Sequence, residues 1–391
     1  MPPTRPATES IIRSFQNSHK RHFILTGSRG SGKSTLFHKL KNHWNIQPGI
    51  TTKAQPGEYV LLQENDTANQ ACIGVFDASR PSDTNRMQPQ TEGFLEVGIP
   101  ALERAMAHPS PWVSIDEIGY LESSCPAYQE KLLQLFTVKR VLAVLRKQDT
   151  PFLNQLRARE DVFVYDLDQP LPSIGCVIMA SGLGRRFRRN SDQNKLLAPL
   201  HGKPLLEHIL DTTSQIPSLH RIVVTRHEEV AALCSSKQIP VLVHDLPGRN
   251  DTVRLGLQAL LETNPRLSGC MFVPGDQPLL SRESIETMLL TYSQIVKDNS
   301  QTASDTSQVT APILRLHYRE QPGAPVLFDK HYFSELLTLP EGKGGSVLTK
   351  KYPEQVHLIP SREAYELYDI DTPEDLLRIS DSKNLLKYSN H

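Results

Sequence analysis

No stretch of this 391-residue chain approaches the roughly 20 consecutive apolar residues that a membrane-crossing helix needs, so no membrane association is expected. Net charge is absent as well: Lys plus Arg and Asp plus Glu each number 43. A general nucleic-acid binder draws its affinity from neutralising phosphates, so nucleic acid is not an expected partner. Cysteine is sparse. The five (Cys72, Cys125, Cys176, Cys234 and Cys270) show no CxxC or CxxH spacing, which excludes the common zinc frameworks and a disulfide scaffold. Cys176 and Cys270 lie in apolar runs and read as small core residues. Residues 1–18 lack the apolar segment of a secretory signal. A reducing cytoplasmic setting is the expectation, and no internal repeat is visible.

What the chain does have is two glycine-rich loops about 150 residues apart, each directly after an apolar run. Residues 27–34 read Gly-Ser-Arg-Gly-Ser-Gly-Lys-Ser after Phe23-Ile24-Leu25, and residues 180–187 read Ala-Ser-Gly-Leu-Gly-Arg-Arg-Phe after Val177-Ile178-Met179. The length suits two domains. Apolar runs alternate with helical patterns, the mark of α/β folds with largely parallel sheets. Strands are expected at 23–26, 60–62, 112–115, 141–144 and 162–165, then at 177–179, 221–224, 241–243 and 271–273. Helices are expected at 33–42, 98–107 and 128–136. Two prolines in 166–173 break the pattern, which sets the expected domains at 1–170 and 171–391. The polar run 297–307 reads as an exposed loop or a disordered insertion, and the tail after Leu377 as a fraying helix.

The first loop fits Gly-x4-Gly-Lys-Ser between a strand and a helix. Successive backbone N–H groups at a helix N-terminus cradle anions, and glycines admit phosphates closely. Gly27, Gly30, Gly32 and Thr35 would shape that cradle. Lys33 would reach the β- and γ-phosphates, and the Ser34 hydroxyl would ligate Mg2+. Trp112-Val113-Ser114-Ile115-Asp116-Glu117 supplies the acidic partner: Asp116 is placed to hold the metal, and Glu117 to orient or deprotonate a water. Arg146 and Arg29 are weaker candidates for stabilising transition-state charge.

The second loop suits nucleotidyl transfer, which needs N–H groups for a triphosphate, cations for leaving pyrophosphate, and carboxylates carrying a metal. Ala180, Ser181, Gly182 and Gly184 supply the loop. Arg185 (or Arg186) and Lys195 supply the cations. Asp276, at an expected strand end, supplies a carboxylate. Asp371 is a second candidate metal ligand, or else the cap of a helix starting at Pro373.

Residues 20–168 resemble the THEP-type P-loop nucleoside-triphosphatases, through the first loop, Gly49-Ile50-Thr51-Thr52 and Asp116-Glu117-Ile118-Gly119-Tyr120-Leu121-Glu122. Residues 175–377 resemble the MobA-like transferases of molybdenum-cofactor maturation. The matching segments are 179–197, Gly275-Asp276-Gln277-Pro278, Gly323-Ala324-Pro325-Val326-Leu327-Phe328 and 369–375. The resemblance implies an N-terminal P-loop NTPase domain followed by a Rossmann-like nucleotidyltransferase domain. It further implies hydrolysis of ATP or GTP, transfer of CMP from CTP to molybdopterin with release of pyrophosphate, Mg2+ as cofactor, and a client molybdenum hydroxylase. The base stays open between CTP and GTP. Cytidylyl members tend to carry Ala and guanylyl members Gly where this chain has Ser181, while residues 250–257, 323–328 and 342–346 resemble the cytidylyl branch. Arg188 replaces a family glycine, and residues 189–193 lengthen the spacer before Lys195. Two other readings stay open: transfer to a sugar- or polyol-phosphate, and a nucleotide-dependent cofactor-delivery chaperone.

Overall fold

The computed structural model describes residues 5–81, 85–188, 193–302 and 311–380. The chain divides into two compact units, Ser18–Pro170 and a second formed by the residues up to Asn17 together with those from Leu171 onward.

The first unit is built on an eight-stranded sheet: β1 (His22–Thr26), β2 (Gly49–Gln55), β3 (Tyr59–Glu64), β4 (Gln70–Phe76), β5 (Met87–Pro89), β6 (Trp112–Ile118), β7 (Arg140–Leu145) and β8 (Val162–Asp166). Its order is β5-β4-β3-β2-β6-β7-β1-β8. Strands β2, β6, β7, β1 and β8 run parallel, and β3, β4 and β5 extend the sheet antiparallel. All five residues of β1 are buried, as a parallel strand covered on both faces requires. Every strand expected in this half is present and somewhat longer than its apolar run. Strands β2, β4 and β5 went unread because they are half-exposed, with polar stretches such as Thr51-Thr52-Lys53.

The second unit carries β9 (Ile174–Ala180), a short β10–β11 hairpin (Pro199–Leu200, Lys203–Pro204), β12 (Leu219–Thr225), β13 (Val241–Val243), β14 (Gly269–Pro274), β15 (Ile313–Tyr318), β16 (Gln321–Asp329) and β17 (Val356–Pro360). Its seven-stranded sheet has the order β13-β12-β9-β14-β16-β15-β17. The first four strands are parallel and β16 is antiparallel to both its neighbours. Side chains alternate across β9: Cys176, Ile178 and Ala180 enter one apolar cluster and Val177 the other. Cys176 and Cys270 are fully buried core residues, as expected.

Two expectations change. Residues 297–302 are the end of a long helix, Arg282–Thr302, rather than a loop; residues 303–307 lie outside the described residues. The polar run misled because it continues an amphipathic helix whose apolar face (Ile285, Met288, Leu289, Tyr292) is already buried. The helix Pro373–Ser380 is present, and the tail beyond it lies outside the described residues.

The second change concerns the N-terminus. The helix Thr8–Asn17 belongs to the second unit, not to a domain spanning 1–170. Ile11, Ile12 and Phe15 are buried, and the helix packs along Arg282–Thr302. Polar groups fix it there. Glu286 is 2% exposed and accepts hydrogen bonds from the Ala7 N–H (2.8 Å), the Ser10 hydroxyl (2.8 Å) and Arg282 Nε (2.7 Å). A carboxylate at a helix N-terminus also meets the positive end of its dipole. Arg13 donates to the Ser284 hydroxyl (3.3 Å) and to the Pro360 carbonyl.

Glu286→Ala leaves those donors without their acceptor, at a cost of about 1–3 kcal/mol. Hydrogen exchange should accelerate in residues 8–17 and 282–302 while the amides of β1 keep their protection.

Candidate functional sites

In the first unit, the chain leaves the buried β1 into the loop 27–32 and enters the helix Lys33–His43. Gly32 is the N-cap at φ 82, in the left-handed region that glycine tolerates, and carries no side chain to cap the first turn. The first-turn N–H groups are therefore left for an anion. Ser34 and Thr35 lie exposed on that turn. Lys33 Nζ folds back onto its own loop, donating to the carbonyls of Gly27 (2.9 Å) and Ser28 (2.7 Å).

Sequence reasoning missed how this loop is anchored. Asp168, just past β8, accepts from the Ser28 N–H (2.6 Å) and the Ser28 hydroxyl (2.9 Å). Lys147 Nζ sits 2.8 Å from both Asp166 and Asp168. Lys147 and the Ser28 donors hold the Asp168 carboxyl down at about 2. Only the position of these aspartates after an apolar run could have flagged them.

The parallel order brings the carboxylates of β6 to the same sheet edge. Asp116 is half-buried; burial, then the neighbouring Glu117, pushes its carboxyl above the usual range, while His38 and Lys41 oppose the rise. Glu117 has φ 80, where β6 slips register against β7 between Ile115 and Ile118. Its Oε1 accepts from Arg146 Nε. Glu122, in the same motif, is 5% exposed and accepts from the Gly119 N–H (2.8 Å), shaping the turn after the acidic pair. Burial lifts its carboxyl to about 7.

In the second unit, β9 leads into the loop 181–184. Gly184 has φ 58 and lies against the Lys195 side-chain stem. Lys195 is 8% exposed, and its Nζ lies between two carboxylates, Asp276 at 2.6 Å and Asp371 at 3.4 Å. Arg186, rather than Arg185, pairs with Asp371 (2.9 Å). The helix starting at Pro373 is capped by Thr372 and Asp375, whose Oδ2 accepts from the Asp371 and Thr372 N–H groups. Asp371 therefore points its carboxylate at the site instead of capping. Asp369 joins them: burial, then the charges of Asp276 and Asp371, pushes its carboxyl up, and Gln277 donates to it (2.9 Å).

A cavity of about 1360 Å³ opens over this cluster. It is lined by the glycine loop including Arg185, by Arg249, Thr252 and Val253 of the helix Arg249–Thr263, and by Gly323, Ala324, Gly344 and Ser346. The segments that sequence reasoning singled out thus converge. Asn250 Oδ1 accepts from the Gly342 N–H (3.0 Å), tying two of them together. Three groups that hold the loop were not foreseen. Thr225 donates to the Ala180 carbonyl (3.0 Å), His227 Nε2 meets the Gly182 carbonyl (3.0 Å), and Ser181 Oγ meets the Val224 carbonyl (3.1 Å) and His244 Nε2 (3.0 Å). Residues 189–192 lie outside the described residues.

Among the described residues no three His, Cys, Asp or Glu side chains form a cage for a metal ion. Mg2+ characteristically binds through one or two carboxylates and completes its shell with waters and substrate phosphates. Asp276 and Asp371, which already hold an ammonium group between them, fit that requirement. In the first unit the expected donors, Asp116 and the Ser34 hydroxyl, lie on β6 and on the first turn of the helix Lys33–His43.

Residues 22–170 match the family model described as NTPase, and residues 176–356 match the MobA-like NTP transferase domain. The nucleoside-triphosphatase THEP1 of Thermotoga maritima is 26% identical over 150 residues, covering 37% of this chain and 86% of that protein. The bifunctional protein GlmU of Clavibacter sepedonicus is 32% identical over 133 residues, 32% of this chain. The match spans 26% of that protein's length, about a quarter. Among solved structures, Rv0371c from Mycobacterium tuberculosis is similar at 22% identity with a TM-score of 0.43, covering 54% of this chain and 99% of that one. THEP1 from Aquifex aeolicus is similar at 21% identity with a TM-score of 0.33, covering 37% of this chain and 89% of that one.

Glu122 gives the first unit a pH dependence of known sign. Burial raises its carboxyl from the ordinary value of 4.5 to about 7, so the folded state favours the protonated form. That contribution is fully present below 4.5 and is lost as pH rises towards and through 7. Glu122→Gln, which keeps the acceptor for Gly119, should be more stable than the parent at pH 8 by about 3 kcal/mol. At pH 4.5 the two should match, as denaturant unfolding at the two pH values will show.

Proposed function

We propose that this chain, an NTPase domain joined to a MobA-like NTP transferase domain, transfers CMP from CTP to the terminal phosphate of molybdopterin and separately hydrolyses ATP or GTP. The observation that carries the transferase reading is Lys195 held between Asp276 and Asp371 at the floor of the large cavity, beside the glycine loop. The size of the cavity and its arginines (Arg226, Arg249, Arg315 and Arg319) suit a bulky anionic acceptor. The segments 250–257, 323–328 and 342–346 support the cytidylyl reading.

Backbone N–H groups of residues 182–184 hold the triphosphate, and the Arg185 guanidinium and Lys195 ammonium take up charge on the departing pyrophosphate. An oxygen of the acceptor's phosphate attacks the α-phosphorus in line. The bond to the α–β bridging oxygen breaks, and that oxygen keeps the electron pair. Asp276 and Asp371 would hold Mg2+, which draws charge from the phosphate oxygens when bound. Lys195 then turns from the carboxylates towards the phosphates, so one side chain serves the empty and the filled site. In the first unit, Lys33 and the loop N–H groups bind the β- and γ-phosphates, Ser34 and Asp116 would hold Mg2+, and Glu117 takes a proton from the attacking water.

The test is pyrophosphate release by the full chain from CTP and from GTP, with and without molybdopterin. The full chain is required because residues 8–17 complete the transferase unit. Release with CTP only when molybdopterin is present, falling by about 100-fold or more in Asp276→Ala, is the expected result. Release with GTP alone reverses the base assignment. Release with a hexose-1-phosphate or polyol phosphate in place of molybdopterin reassigns the acceptor, and tight cofactor binding without release favours a delivery chaperone. Lys33→Ala should abolish phosphate release from ATP and GTP and leave pyrophosphate release intact.

A further inference from the structure

One contact in the first unit has no role in the scheme above. Glu117, the carboxylate assigned to the water, is already engaged: its Oε1 accepts from Arg146 Nε. Several features fix that contact. Arg146 follows β7, the strand between β6, which carries Asp116, and β1, which runs into the phosphate loop. Topology therefore places it between the two halves of the site. Its backbone N–H donates to the Ile118 carbonyl (3.0 Å), and its carbonyl accepts from Arg157. A Cβ added at Gly119 would lie 3.1 Å from Arg146 Cδ, so the glycine of the Asp-Glu-Ile-Gly motif leaves room for the arginine stem.

The other partner is held under strain. Glu117 has φ 80, a conformation that costs a non-glycine residue on the order of 1–3 kcal/mol and persists only where the surroundings enforce it. The slipped β6–β7 register and the bond to Arg146 are what aim this side chain. The pair is also open to change: the side chains are 42% and 29% exposed. The bond uses Nε, and the two Nη groups carry four further N–H donors in a plane suited to a phosphate.

We infer that Arg146 is a positioning residue that links Glu117 to the terminal phosphate of the bound nucleotide, so that the carboxylate is set against its water only when a triphosphate fills the loop. Nε keeps the carboxylate while the Nη groups meet the γ-phosphate oxygens. Water oxygen then bonds to the γ-phosphorus, the bond to the β–γ bridging oxygen breaks, and Glu117 accepts the proton, giving a nucleoside diphosphate and phosphate. A diphosphate offers no γ-oxygens to Arg146, so the same contact separates substrate from product. This inference rests on the NTPase reading of the first unit.

The experiment measures binding of ATP and ADP by displacement of a fluorescent nucleotide, alongside phosphate release, in the full chain and in Arg146→Ala, Arg146→Lys, Glu117→Gln and Lys33→Ala. Arg146→Ala should lose about tenfold of the preference for ATP over ADP, the worth of one charge-assisted hydrogen bond. Its kcat should fall by on the order of 100-fold or more. Arg146→Lys should recover part of the binding preference and little of kcat, because an ammonium cannot hold both partners. Glu117→Gln should lose kcat while keeping the ATP preference. An unchanged ATP-to-ADP ratio in a folded Arg146→Ala protein would overturn the inference. So would equal loss of the ratio in Arg146→Ala and Glu117→Gln, which is what a merely structural ion pair predicts. Failure of the underlying NTPase reading looks different: no phosphate release by the parent chain, and nucleotide binding that Lys33→Ala leaves untouched.

Discussion

A strand buried on both faces has no place for charge along its length. β1 and β9 are such strands, each with a parallel neighbour on both sides. Their backbone polar groups are used in the ladders, so polar chemistry begins only where the strand ends. In both units a glycine loop follows at that point, and parallel neighbours deliver their own ends to the same edge. β6 brings Asp116 and Glu117 there, β7 brings Arg146, and β14 brings Asp276. The two sites are thus answers to one constraint, reached with different loops.

Electrostatics sets what occupies those edges before any nucleotide arrives. Burial, then the neighbouring charges of Asp276 and Asp371, raises the proton affinity of Asp369. Cations meet carboxylates in both sites. Lys195 lies between Asp276 and Asp371, and Arg146 meets Glu117. Lys33 donates to the loop carbonyls. Lys195 and Lys33 are therefore pre-positioned by groups that a phosphate can displace, which keeps the reorganisation on binding small.

Local signals in the sequence were sufficient for the elements that carry these groups. An apolar run, glycines at fixed offsets and a basic or acidic residue at the strand end locate both loops, the Asp116–Glu117 pair and Asp276, because each depends on neighbours within ten residues. What could not be read depends on residues far apart. Asp168 meets Ser28 only because β8 lies beside β1. His244 meets Ser181 because β13 and β12 stack in order beside β9. Asp371 could be separated from a helix cap only by seeing Thr372 and Asp375 perform the capping. Residues 297–302 read as loop because composition outweighed the helical period that began fifteen residues earlier.

The N-terminal helix is the extreme case of that limit. Residues 8–17 precede the first unit in the chain, yet their partners lie on Arg282–Thr302 and at Pro360. Loop-closure entropy grows only as the logarithm of the chain between contacts, so placing a whole folded unit between them costs little more than a flexible loop would. A compact insert also brings its own ends into a smaller volume than an unfolded chain of the same length. The first unit can therefore fold on its local contacts as it leaves the ribosome, and the second closes around a helix made much earlier. The transferase unit is discontinuous in sequence, and the NTPase unit is held by the chain at both of its ends. A boundary drawn from composition at residues 166–173 finds only one of those two connections. The other runs through Asn17 and Ser18, where the helix is polar enough to pass for a terminal tail and its buried face is a mere three apolar residues.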